Sequence, residues 1–154
     1  MFYFKQKELT KEFNFSKVFK RDDLPGYIRH YILADERILV AYKTIRDHGV
    51  FTDSKIVLFD SEKSISRKEI YSIPYNSIST ISVIFDEFNA EFHILLNNGI
   101  PINLKFTSLD PEDKTRIRIL YTAINRIISG QKPDEKEIEN LMNDKIELTY
   151  KNAN

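Results

Sequence analysis

Three histidines, His30, His48 and His93, are the side chains here best suited to proton transfer or metal binding near neutral pH. They stand far apart, without the spacing that gathers ligands around one ion. His48 adjoins Asp47, but neighbouring residues of a strand point to opposite faces, so the two do not make an acid–base dyad. Serines are plentiful, yet none lies in a nucleophile-elbow setting. The acidic pairs Asp22-Asp23 and Asp86-Glu87 read as cap and turn residues. The four glycines each read as structural: Gly26 at the start of a helix, Gly49 in a strand connection, Gly99 in a hairpin and Gly130 at a helix end. None lies in a run able to wrap a phosphate. No catalytic residue, metal ligand or cofactor is therefore expected, and the chain reads as a non-enzyme.

Arg46-Asp47 is the pair with the most to offer. It reads either as a binding contact, at a sheet edge or between subunits, or as an ion pair that pins a turn. Exposed pairs of this kind contribute little, which favours the turn.

The elements that must carry these residues are legible from period and punctuation. At 154 residues, with 42% hydrophobic and 30% charged, the chain fits one soluble domain with a modest extension. It has no cysteine, so disulfides and cysteine–zinc sites are excluded. Zero formal net charge argues against a nucleic-acid partner. No apolar run approaches a membrane span, and the start is broken by charge too early for a secretory signal, so a cytoplasmic location is expected.

The charge is uneven along the chain. Residues 1–21 carry six cations and two acids, interleaved with six aromatics that include Phe13 and Phe15. This segment reads as packed on its own domain, as an arm to a neighbouring subunit, or as a surface for anionic membrane. Residues 131–154 carry six acids and four lysines. They offer a helix over 135–148 with Ile138, Leu141, Met142 and Ile146 on one face. Two such extensions of opposite charge could form a clasp between subunits.

Between them the period is mostly two. A short helix over 25–33 precedes strands at 37–45, 50–52, 55–60, 67–73, 78–85, 90–96 and 100–106. Ser61 to Ser64 reads as a turn, Pro74 as a strand end, and Asn97-Asn98-Gly99 as a tight hairpin. In the segment 78–85, Ser79, Thr80 and Ser82 face away from apolar residues such as Ile78, as on a strand edge open to pairing. The clearest helix follows: Asp110 as N-cap, Pro111, an apolar stripe of Ile117, Leu120, Tyr121, Ile124, Ile127 and Ile128, and Gly130 as terminator.

The run Ile45-Arg46-Asp47-His48-Gly49-Val50-Phe51-Thr52-Asp53-Ser54-Lys55-Ile56-Val57-Leu58-Phe59-Asp60 resembles the most recognisable stretch of the bacterial pleckstrin-homology (PH) domains. Ile73-Pro74-Tyr75-Asn76-Ser77-Ile78 is similar to that family's "I-P-Y-x-x-I", and Leu33-Ala34-Asp35-Glu36 to its "L-x-G-E", with Asp35 where Gly is usual. The resemblance covers about 28–128. It implies a mainly β, PH-like barrel of seven antiparallel strands in two near-orthogonal sheets, capped by a C-terminal helix. It also implies homo-oligomers formed by side-by-side contact.

The domain limits expected are 1–24 for the N-terminal extension, 25–130 for the PH-like domain and 131–154 for a helical tail. PH domains that hold phosphoinositides use several cations around a long first loop. Here that loop is short, and Lys43, Arg46 and Lys55 are too few and too spread to cradle an inositol phosphate. The function expected is a binding or scaffold module that self-associates and takes a protein partner by strand-edge pairing, with weak docking on anionic membrane as the alternative.

Overall fold

The computed structural model describes residues 11–44, 47–64 and 67–143, with residues 11, 61–64, 67 and 68 as backbone only. Among the described residues nine strands form two sheets. The first is β2 (Lys17–Val18), β3 (Ile38–Lys43), β4 (His48–Thr52), β5 (Lys55–Ser64) and β6 (Arg67–Pro74), in that spatial order. The second runs β1 (Lys11–Phe15), β9 (Pro101–Phe106), β8 (Ala90–Leu96) and β7 (Ile78–Phe85). Strands β3 to β9 are the seven expected. The structure adds β1, parallel to β9, and β2, antiparallel to β3.

Over the described residues β1 and β2 bear out the first of the three readings of the N-terminal segment, packing on its own domain. Phe13 is 2% exposed and Phe15 1%, so both are core residues and neither is an interaction residue. Phe15 packs on Phe106 and Tyr42, with ring centroids 5.5 and 6.3 Å away. Phe19 is buried as well, which leaves three of the six N-terminal aromatics unable to meet a membrane. The segment leaves the edge of one sheet and joins the edge of the other, through Thr107 N–H to Phe15 O (2.9 Å), Ser16 N–H to Lys43 O (3.0 Å) and Phe19 N–H to Ala41 O (2.8 Å). Gly49 lies inside β4 and not in a connection. A Cβ there would stand 2.6 Å from the Phe15 ring.

The uninterrupted apolar run Ile56-Val57-Leu58-Phe59 is buried throughout because its sheet is covered on both faces. On the inner face Phe51 meets Phe92 of the other sheet at 6.4 Å, and Tyr42 meets Phe106 at 4.9 Å. On the outer face Phe59 is met by Tyr27 and Tyr31 at 5.6 and 5.5 Å. Those tyrosines belong to Gly26–Tyr31, where the expected helix is a 3-10 helix with only Ile28 buried. A shorter 3-10 turn, Arg21–Asp23, precedes it.

Two turns also differ from expectation. Ser61 to Ser64 continue β5, and Ser64 pairs with Arg67, because polar residues can extend a hairpin ladder into solvent. The hairpin after β8 has a three-residue loop, with Gly99 alone at positive φ (87°) and Leu96 N–H bonded to Ile100 O at 3.0 Å.

Helix α1 (Pro111–Ile128) begins with a capping box: Asp113 N–H donates to Asp110 Oδ1 at 2.8 Å, and Asp110 N–H to Asp113 Oδ2 at 3.3 Å. It ends in a Schellman motif, with Gly130 at φ 80° donating to Ile127 O and Gln131 to Arg126 O. Ile117, Leu120 and Ile124 are fully buried. Helix α2 (Glu135–Asn140) is capped by Asp134, and residues 144–148 of the longer expected helix, Ile146 among them, lie outside the described residues.

Over its described residues, 131–143, the tail turns its apolar side chains inward and not toward a second subunit. Ile138, Leu141 and Met142 join the chain's own core, so Leu141 and Met142 are not interaction residues. Arg116 of α1, 2% exposed, holds this tail by donating from one nitrogen to Leu141 O and to Asn143 O, the latter at 2.9 Å.

Candidate functional site

The three family-like motifs meet in a buried polar knot. Glu36, 7% exposed, accepts at Oε1 from Leu33 N–H (3.0 Å) and pairs there with Lys55 Nζ (3.2 Å). Its Oε2 accepts from the Thr52 hydroxyl and from Ser54 Oγ at 2.8 Å. The Thr52 hydroxyl also receives Ser54 N–H and Lys55 N–H, at 3.1 and 3.0 Å. Tyr75, buried, donates to Thr52 O at 2.8 Å. Burial alone would raise the Glu36 carboxyl, but the hydrogen bonds from Thr52, Leu33, Ser54 and Lys55 together hold it below the usual carboxylate range. Both Glu36 oxygens are fully engaged, so the knot binds the start of β3 to the β4–β5 hairpin.

The expected cations do not converge. Lys43 and Lys55 lie at opposite ends of β4, about four residues or roughly 13 Å apart along the strand. Lys43 Nζ stands over the Phe19 ring, 4.7 Å from its centroid, while Lys55 is committed to Glu36. Arg46 lies outside the described residues. Asp47 pins the β3–β4 turn: its N–H donates to Thr44 Oγ1 at 3.0 Å, and Asn14 N–H of β1 reaches its carboxylate at 3.4 Å.

β7 is the outermost strand of its sheet. Its first half is not an open edge. Ile78 is buried, a bulge falls between Ile78 and Thr80, and the Tyr121 hydroxyl of α1 donates to Ile81 O at 3.1 Å. Ser79 and Thr80 are exposed beside that irregular stretch. The second half ends in exposed apolar residues, Ile84 at 50% and Phe85 at 37%, with the Arg118 guanidinium 5.8 Å from the Phe85 ring.

Phe88 stands beyond them, 60% exposed on a braced loop. Asp86 accepts from Phe88 N–H (3.1 Å) and Asn89 N–H (2.8 Å), bonds that lower its pKa. Phe88 O accepts from Leu109 N–H at 2.8 Å, and Glu87 O from Lys114 of α1. Ile84, Phe85 and Phe88 are the candidates that sequence reasoning missed. The signals were present: two large apolar residues in succession break the alternation of β7, and an aromatic sits within a polar turn.

Among the described residues no group of three or more His, Asp or Glu could hold a metal, and no helix is long and apolar enough to cross a membrane. The family profile described as "Bacterial PH domain" matches residues 9–128. The chain belongs to the bacterial PH domain family.

The match begins ahead of β1, in keeping with a PH-like fold that includes the N-terminal strands. This PH-domain chain is similar to a DUF1696-family protein with a pleckstrin-homology domain from Shewanella loihica PV-4. The TM-score is 0.58 at 21% identity, over 75% of this chain and 98% of that one. A PH-domain-containing protein from Exiguobacterium sibiricum 255-15 has a TM-score of 0.56 at 19% identity, over 78% of this chain and 63% of the other. The relative YjqA of Bacillus subtilis (strain 168), itself uncharacterized, is 42% identical over 57 residues, 36% of this chain and 46% of its own length. These solved structures share the fold, and the motif knot shows what holds this PH domain together.

Proposed function

We propose that this PH domain is a non-catalytic binding module that self-associates through the outer half of β7 and the Phe88 loop. The observation that carries this reading is an edge strand ending in exposed Ile84 and Phe85 beside an aromatic braced outward at Phe88. An edge offers unpaired backbone groups for strand addition, and exposed large apolar side chains beside it supply the buried area that makes pairing stable. A rigid aromatic loses little entropy on docking, which suits Phe88 to a hot-spot role. A strand from another protein meets the same requirements as a second copy.

Absolute mass by light scattering tests the reading. The full-length protein is expected at a defined multiple of 18.2 kDa, and the double variant Ile84→Lys, Phe88→Lys at the mass of one chain. A wild-type protein that stays at one chain mass at every concentration overturns self-association.

A further inference from the structure

Helix α2 ends at Asn140, well short of residue 148. From Lys145 to Lys151 the sequence alternates, with Ile146, Leu148 and Tyr150 in one set and charged or hydroxyl side chains in the other. That is the period of a strand with one face buried. Among the described residues β7 has no strand on its outer side, and it carries no charge from Ile78 to Phe85. An edge without charged protection readily takes up a further strand.

We propose that the outer half of β7 is covered by residues 145–151 of a second copy of this chain. The inference rests on the self-association reading and names the segment that the second copy supplies. In this pairing Ile146, Leu148 and Tyr150 extend the inner row of Val83 and Phe85, whose partners on β8, Phe92 and Ala90, are buried. Lysine stems and the Thr149 methyl cover Ile84 on the other face.

The chain's own β7 is out of reach. Lys114, Arg118 and Tyr121 mark the flank of α1 that meets the 81–88 stretch, through Glu87 O, the Phe85 ring and Ile81 O. At about 3.6 residues per turn, Arg116 sits roughly 140–160° round the helix from all three. Arg116 donates to Asn143 O at 2.9 Å, so the chain leaves α1 on the flank turned away from β7. Only Asp144 precedes the alternating run. Two residue steps reach roughly 7 Å, against a helix diameter of about 10–12 Å. A second copy has no such limit, and exchange of a like segment between copies is a low-cost route to association.

Light scattering on paired variants of the full-length protein tests it. Ile146→Asp with Leu148→Asp removes the donated strand and leaves β7 intact, while Ile84→Lys with Phe88→Lys does the reverse. Each double variant alone is expected at the mass of one chain. Mixed in equal amounts they are expected at the mass of two chains, because one exchange remains possible. Restored association also shows that both variants are folded. Glu147→Ser, outside the apolar set, should keep the wild-type mass. An Ile146→Asp, Leu148→Asp protein that keeps the wild-type mass, or a mixture that stays at one chain mass, overturns this inference and leaves self-association through β7 standing. A wild-type protein at one chain mass overturns both.

Discussion

Glu36 is the residue on which three distant stretches depend. Replacing it with Gln leaves Lys55 without its ion pair and misfits at least one hydroxyl donor. The expected cost is about 1–3 kcal/mol at pH 7, read from urea unfolding. The sign of the pH effect follows from the lowered carboxyl pKa. Stabilisation is fully present above the unfolded value of about 4.3 and is lost as pH falls through the lower folded value. Wild type and Glu36→Gln should therefore converge in stability in strong acid; a gap that persists there would mean that the carboxylate is not the source. The letters of this knot stood plainly in the sequence as family-like motifs. That they touch one another did not, because Glu36, Thr52 and Tyr75 are joined only by folding. Phe88 shows the opposite case, a residue whose importance is visible only once a turn is seen to hold it outward.

Helix α1 was the most legible element, since its cap, stripe and glycine stop are all local signals. Its other buried flank was not legible. Arg116 lies beside the stripe and looks like a solvated charge until the tail folds over it and supplies two carbonyl oxygens. Arg116→Met keeps most of the side-chain bulk and removes those donors. The variant should lose about 1–3 kcal/mol, since the buried carbonyl of Leu141 is left unpaired and that of the exposed Asn143 loses its donor. Trypsin should then cut at Lys132 or Lys136 while the PH core survives. A variant tail as resistant as the wild type would show that apolar packing of Ile138, Leu141 and Met142 holds α2 unaided. The β7 strand was equally legible as an edge, but its bulge and the Tyr121 contact were not, since both arise from where α1 comes to rest.

At the scale of the molecule, two sheets are joined at one corner by β1 and β2, and Phe15 is the residue seated in that corner. The space it occupies exists because position 49 has no side chain. Gly49→Ala should cost about 1–3 kcal/mol through overpacking, and the penalty should shrink when Phe15→Leu is added, because the smaller side chain makes room. Additive losses in that double-mutant cycle would place the strain elsewhere. Period announced six or seven strands and a closing helix, and the family resemblance fixed the number at seven. They left the first twenty residues ambiguous, because alternating aromatics and lysines describe an arm as well as a strand.

The corner also sets an order of events during synthesis. Phe13 lies opposite Leu104 in the parallel pair, 91 positions downstream. At roughly 5–20 residues per second, β1 leaves the ribosome some five to twenty seconds before its partner strand has been made. Until then β1, which carries Phe13 and Phe15, lacks the strand of its own sheet that it pairs with. β1 is thus among the last strands to find its place, and the seconds before it does are when a chaperone has most to protect.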